Sequence, residues 1–112
     1  MIIKEKTMNG LPVMSLSGKL DIFSRNAFME TAEKYTEMGA KGLILDFQGI
    51  TSVDSVGLGV LAVVARTFQK LKGRIILVNP QDQVKSLFFE MNLEKMIPMY
   101  KTDEQFSQFS EL

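Results

Sequence analysis

Apolar and polar residues along this chain switch between a period of two and a period near 3.6, which predicts alternating strands and helices. The turn pair Asn9-Gly10 predicts a β-hairpin between the first two strands. Gly18 is expected to end the second strand. The apolar runs predict strands at residues 2–7, 11–17, 43–47, 74–78 and 97–100.

Helical spacing of apolar residues predicts helices at 22–38, 55–71 and 81–91, and a fourth that begins at Thr102. Asp21 or Ser24 is expected to cap the first of these helices. Alternating elements of this kind favour an α/β fold, here a small mixed sheet of about five strands with about four helices. The length of 112 residues predicts a single domain over 1–112.

The composition limits the chemistry that the chain can perform. It contains no cysteine and no histidine, which excludes thiol nucleophiles, the Ser-His-Asp triad and the commonest transition-metal ligands. A magnesium or calcium site made only of carboxylates remains compatible with the composition, but no metal, cofactor or enzyme activity is predicted. Thirteen basic and thirteen acidic residues balance, which argues against direct binding of nucleic acid.

No membrane span is predicted. The longest uncharged stretch near the middle of the chain covers residues 55–65, whereas a spanning helix needs roughly 20 apolar residues. Together with the absence of cysteine, this favours a cytoplasmic location.

The segment from Ile50 to Leu61 carries the most information, and we expect it to connect a strand to a helix. Asp54 or Ser55 is placed to cap that helix. Gly57 and Gly59 are unusual in a helix interior, where each costs about 1 kcal/mol relative to alanine. We therefore expect them to allow close packing on the sheet, or to leave an open backbone surface around Ser55.

Two catalytic or ligand-binding interpretations of this segment are weak. Residues 57–62 fit the dinucleotide pattern G-x-G-x-x-A, but the glycines follow the predicted cap instead of forming the turn after a strand. Ser55 as a nucleophile has neither G-x-S-x-G neighbours nor a histidine base. A serine-lysine pair is not excluded, although no lysine lies nearby in the sequence.

A third interpretation makes Ser55 a phosphorylation site on a surface that binds a protein partner. A phosphate adds about −1.5 to −2 charges at pH 7. The amides and the dipole at a helix N-terminus stabilise such a charge, so the fold is expected to tolerate it while the surface changes. The simpler alternative is that Ser55 only caps the helix.

At these residues the chain resembles the STAS domain, named for sulfate transporters and anti-sigma factor antagonists, and within it the stand-alone bacterial antagonists. The main similarity is Asp54-Ser55-Val56-Gly57-Leu58-Gly59-Val60-Leu61, and a second is Gly18-Lys19-Leu20-Asp21. Further similarity lies in residues 43–47 and 84–88, with Leu93. The matching segments occur in the family's order over nearly the whole chain.

The resemblance implies a STAS-like fold and a regulatory cycle of partner switching. In the family, the unmodified antagonist binds an anti-sigma factor that often has serine-kinase activity, which frees a sigma factor. The kinase phosphorylates the serine after the motif aspartate, here Ser55, and a serine phosphatase reverses the modification. The implied docking surface consists of Asp21, Asp54 and the start of the helix after Asp54. That helix start is Ser55, Val56, Gly57 and Leu58.

One position departs from the family pattern. The family often has a second small hydroxyl residue after the switch serine, where this chain has Val56. Related domains also serve as structural subunits of stress-sensing or lipid-transport assemblies, and some of these are never phosphorylated. A STAS subunit without a phosphate switch is therefore the alternative to the antagonist.

Overall fold

Five strands form one mixed sheet in the order in which they occur along the chain. The structure is a computed structural model that describes residues 1–101. The first two strands are antiparallel and joined by a hairpin at Asn9 and Gly10, both with positive φ, as the sequence predicted. The other neighbouring pairs are parallel. The strands are β1 (Ile2–Met8), β2 (Leu11–Leu20), β3 (Gly42–Val53), β4 (Arg74–Val78) and β5 (Met99–Tyr100).

Three α-helices in the described residues connect the parallel strands: α1 (Arg25–Glu37), α2 (Ser55–Lys70) and α3 (Asp82–Glu90). A short 3-10 turn, Leu93–Lys95, follows α3. Right-handed crossovers between strands taken in consecutive order place their helices on the same face of the sheet. The fourth helix, predicted to begin at Thr102, lies outside the described residues.

The main hydrophobic core fills the space between the sheet and the helices. Pairing of Met14 with Leu45 and of Leu45 with Leu77 places these three residues in one row that faces the helices. Phe47 and Phe88 meet edge to face at 6.3 Å. The neighbouring row, which contains Ile44, belongs to a smaller cluster on the opposite face. Fully buried side chains in the main core include Phe28, Phe47, Leu61, Phe68 and Phe88.

The sequence predicted β2 and β3 too short. Gly18 does not end β2, because it adopts a φ of +103° inside the strand and pairing continues to Leu20. β3 runs on to Val53 through register shifts opposite Ser15/Ser17 and Gly18/Lys19. The polar residues and glycine in this half of β3 look like a loop in the sequence, but bulges let irregular segments stay paired within a sheet.

A polar cluster fastens α1 to the edge strand β1. The Glu5 carboxylate accepts hydrogen bonds from Lys34 Nζ and Tyr35 Oη. The hydrogen bond from Lys34, followed by that from Tyr35, lowers the pKa of Glu5. Burial and the hydrogen bond to Glu5 raise the pKa of Tyr35 to about 12.

We expect Tyr35→Phe to remove a pH-dependent part of the free energy of unfolding. At pH 8 the loss should be about 1 kcal/mol, since one hydrogen bond disappears. The pKa of Tyr35 is higher in the folded state, about 12, than the ordinary value of 10.0. Its stabilising contribution is therefore complete below pH 10 and is lost as the pH rises towards 12. Urea unfolding of both proteins at pH 8 and pH 11.5 should show a smaller difference at the higher pH. A constant difference would contradict this assignment.

Candidate functional site

Two neighbouring parallel strands end side by side and place two aspartates at the same edge of the sheet. Leu20, the last residue of β2, pairs with Val53, the last residue of β3. The amide of Asp54 donates to the carbonyl of Leu20 at 3.3 Å. Asp21 and Asp54 follow directly, at the carboxyl ends of the strands, where α/β proteins usually place binding sites.

Asp54, not Ser55, caps helix α2. Asp54 has extended backbone angles, and its Oδ1 accepts a hydrogen bond from the Gly57 amide at 2.9 Å. Ser55 is the first helical residue and is exposed. Within residues 1–101 its hydroxyl has no hydrogen-bond partner. The interpretation of Ser55 as a simple cap is therefore wrong, and its hydroxyl lies at the surface at the start of the helix.

Gly57 and Gly59 occupy their positions in α2 for different structural reasons. A Cβ atom on Gly57 would overlap the Leu20 carbonyl oxygen and lie 2.9 Å from Cγ1 of Val53. Gly57 thus lets α2 touch the end of β2, which confirms the close packing predicted there. A Cβ atom on Gly59 would have nothing within 4 Å, so close packing is the wrong explanation for that residue. Gly59 leaves open backbone surface one turn beyond Ser55.

Asp21 shapes the turn that leads into α1. Its Oδ1 accepts hydrogen bonds from the amides of Phe23 at 2.9 Å and Ser24 at 3.2 Å. Ser24 occupies the cap position, but its side chain makes no capping bond. Its hydroxyl instead donates to the Lys19 carbonyl at 2.8 Å and accepts from the Asp21 amide at 3.0 Å. Neither side chain caps α1 as predicted, because the Asp21 carboxylate closes the turn itself and the Ser24 hydroxyl ties that turn to the end of β2.

The turn also exposes two apolar residues that the sequence analysis did not identify. The predicted helix 22–38 included Ile22 and Phe23, whereas α1 begins only at Arg25. Ile22 is 56 % exposed and Phe23 is 94 % exposed. The available signal was an apolar pair directly after Asp21, but the sequence analysis assigned both residues to the predicted helix.

Val56 and Leu58 complete the predicted docking residues, and both are half-buried beside the buried backbone of Gly57. Leu58 packs against the main core. The structure thus brings the start of α2 and Asp21 together at one edge. Only part of that surface is open to a partner: Asp54 and Ser55 are exposed, while Asp21, Val56 and Leu58 contribute partly exposed side chains.

An open groove of about 430 Å³ lies on the other side of the β3 end, between β3 and α3. The side-chain amide of Gln83 donates to the Thr51 carbonyl and ties α3 to this strand. The groove gives the edge of the sheet a second concave region, lined by Ser52, Val53, Gln83, Val84, Ser86, Leu87 and Glu90.

The start of α2 has amides available for an anion. Of the four amides that lack an intrahelical acceptor at a helix start, two are engaged in the described residues: that of Asp54 by Leu20, and that of Gly57 by the Asp54 carboxylate. The amides of Ser55 and Val56 remain beside the Ser55 hydroxyl. Helix N-termini of this kind bind phosphate groups.

Two other kinds of feature are absent from the part of the chain that the structure describes. Among residues 1–101 there is no cluster of three acidic side chains able to hold a metal ion. None of the described helices has the length and apolar character needed to cross a membrane.

The sequence matches the family model of the STAS domain over residues 3–105. The chain belongs to the STAS domain family. Residues 54–61 and 18–21, on which the resemblance was based, are the segments that meet at the end of β2 and β3.

Relatives of the chain include proteins described as anti-sigma factor antagonists. A Thermotoga maritima protein, described as a candidate antagonist of this kind, is 21 % identical over 98 residues, which cover 87 % of each chain. A crystal structure of such a protein from that organism superposes with a TM-score of 0.88 at 19 % identity, covering 98 % of this chain and 95 % of that one.

SpoIIAA, described as an anti-sigma factor antagonist, has been solved in two states. The unphosphorylated form gives a TM-score of 0.81 at 21 % identity, over 99 % of this chain and 98 % of that one. The phosphorylated Bacillus form gives 0.74 at 21 % identity, over 96 % and 99 %. These similarities establish the STAS-like fold that the sequence predicted.

We expect Gly57→Ala to lower the free energy of unfolding by about 1–3 kcal/mol, because the new methyl group overlaps a fixed backbone carbonyl. Gly59→Ala is the matched control, since the same change in the same helix meets open space. It should stabilise α2 by up to about 1 kcal/mol through higher helix propensity. Chemical denaturation measures both, and equal effects would contradict the close contact between Gly57 and Leu20.

Proposed function

We propose that this protein is an anti-sigma factor antagonist that works by phosphorylation-gated partner switching. In its unmodified form it binds an anti-sigma factor with serine-kinase activity through Asp21, Asp54, Ser55, Val56, Gly57 and Leu58. Phosphorylation of Ser55 by that kinase releases the complex, and a serine phosphatase restores binding. The protein acts as a binding partner and kinase substrate, not as an enzyme.

The exposure of the Ser55 hydroxyl at the first position of α2 is the observation that carries this proposal. A kinase needs access to the hydroxyl, and the capping bond made by Asp54 leaves that hydroxyl unused. Because capping depends on a neighbouring residue, modification of Ser55 does not remove the cap. The fold and the switch therefore use different side chains.

The folded domain can accept a phosphate at this position. The amides of Ser55 and Val56 and the helix dipole favour an anion at the start of α2. The exposed Asp54 carboxylate is a neighbouring like charge and opposes it. Water screens this repulsion at an exposed site, so we expect the net effect on folding to be small.

The same phosphate destabilises the complex with a partner much more than it destabilises the free domain. In an interface the dianion loses water, and a buried charge without a partner costs on the order of 3–5 kcal/mol. Every 1.4 kcal/mol is tenfold in affinity, so about 3 kcal/mol already exceeds a hundredfold. Water therefore lets the free domain tolerate the charge, while its exclusion makes the complex unstable.

We expect Ser55→Asp to weaken binding of the anti-sigma factor at least tenfold while the melting temperature changes by less than about 2 °C. The new carboxylate places a charge in the interface but leaves the cap and the packing of α2 unchanged. The unmodified protein is immobilised and used to capture the anti-sigma factor from the native cell. The captured partner is identified, purified and titrated calorimetrically against each variant. Ser55→Ala is the matched control, and it should bind but take up no label from ATP.

Three results would count against the proposal. These are a Ser55→Asp variant that binds as tightly as the unmodified protein, label that persists in Ser55→Ala, and a retained partner that transfers no phosphate. The third result, with binding intact, would favour a structural STAS subunit without a phosphate switch.

A further inference from the structure

An exposed aromatic side chain stands beside the proposed switch. Phe23 lies in the turn of residues 21–24, directly after the β2 end that contacts Asp54 and Gly57. Its side chain is 94 % exposed. Of the six phenylalanines in residues 1–101, four are completely buried and Phe89 is 51 % exposed. Phe23 is thus the most exposed phenylalanine ring in the described part of the chain.

The Phe23 side chain contributes little to the stability of the fold. Burying a phenylalanine side chain stabilises a protein by about 1.5–3 kcal/mol, and Phe23 gains almost none of this. It occupies the position just before the Ser24 cap, where an apolar residue often packs against the fourth helical residue, here Phe28. Because Phe23 is 94 % exposed, its ring gains little burial from such a contact.

The backbone that carries Phe23 is nevertheless held in place. The Phe23 amide donates to Asp21 Oδ1 at 2.9 Å, and the next amide, that of Ser24, donates to the same oxygen. The Ser24 hydroxyl ties the turn to the Lys19 carbonyl. A fixed backbone lowers the entropy lost when a side chain is immobilised on binding. Ile22, which is 56 % exposed, widens the apolar surface next to the ring.

We propose that Phe23, supported by Ile22, is the main apolar anchor for the anti-sigma factor and inserts into an apolar pocket of that partner. This inference rests on the proposed function and names a docking residue outside the motif around Ser55. The turn continues the proposed docking surface, because the Phe23 amide is bonded to Asp21, and Asp21 directly follows Leu20, whose carbonyl accepts the Asp54 amide. A partner that binds Asp21 as well as Ser55 therefore lies next to Phe23.

An anchor of this kind affects binding and not the phosphate transfer itself. Central aromatic residues at interfaces often contribute about 2 kcal/mol or more when truncated to alanine, which corresponds to about thirtyfold in affinity. The reacting hydroxyl and its helix start remain unchanged in a Phe23 variant. The kinase should therefore show a higher KM for that variant and an unaltered kcat.

The test compares Phe23→Ala with Phe89→Ala, in which a partly exposed phenylalanine is removed from α3 instead. The probe is the purified anti-sigma factor retained by the unmodified protein, and the readouts are Kd, KM and kcat for Ser55 labelling. We expect Phe23→Ala to raise Kd and KM about thirtyfold with kcat within about twofold, and Phe89→Ala to change each within about twofold. Phe23→Ala should keep the wild-type melting temperature within about 2 °C, whereas Phe89→Ala, which removes a half-buried ring, should lower it by a few degrees without affecting binding.

The outcomes separate this inference from the proposed switch. Wild-type Kd and KM for Phe23→Ala would overturn the anchor and leave the switch intact. Loss of binding by Phe23→Ala with no labelling of Ser55 in the wild type would support the anchor and overturn the switch. If sedimentation shows a dimer of the wild-type chain that Phe23→Ala dissociates, the ring packs against a second copy and the proposed occupant is wrong.

Discussion

The direct contact between the start of helix α2 and the end of strand β2 determines the geometry of the whole site. It depends on the missing side chain of Gly57, whose place is taken by the Leu20 carbonyl oxygen. The Asp54 amide bonds to the same carbonyl. These contacts hold the first turn of α2, which carries Ser55, at the edge of the sheet where Asp21 follows β2, although Ser55 and Asp21 are 34 positions apart in the sequence.

The same contact explains why the fold and the proposed switch can be independent. Packing against β2 and the cap from Asp54 both act on the backbone of the first turn of α2. Ser55 contributes its backbone to that turn and leaves its side chain in solvent. Electrostatic change at the hydroxyl therefore acts mainly on whatever approaches from solvent, where desolvation sets the size of the effect.

Much of the fold could be predicted from the sequence, because its strands and helices have strong periodicity and most turns carry glycine or asparagine. β3 was predicted to end near Phe47, since Gln48, Gly49, Thr51 and Ser52 have no strand pattern, and only pairing with β2 keeps them in the sheet. Likewise, spacing alone could not choose between Asp54 and Ser55 as the cap. The exposure of Phe23 depends on where α1 begins, which is a tertiary property.

The proposed docking surface separates two physical contributions to partner binding, one from an apolar ring and one from a charge. An apolar ring contributes affinity that varies little with ionic conditions, whereas a phosphate at a helix start changes the charge of its surroundings. If Phe23 supplies much of the affinity, the complex can be tight before modification. Phosphorylation then has to offset that affinity by placing an unpaired dianion in the same desolvated interface. We therefore expect release to be most effective when one partner surface covers both Ser55 and Phe23 and excludes water from both.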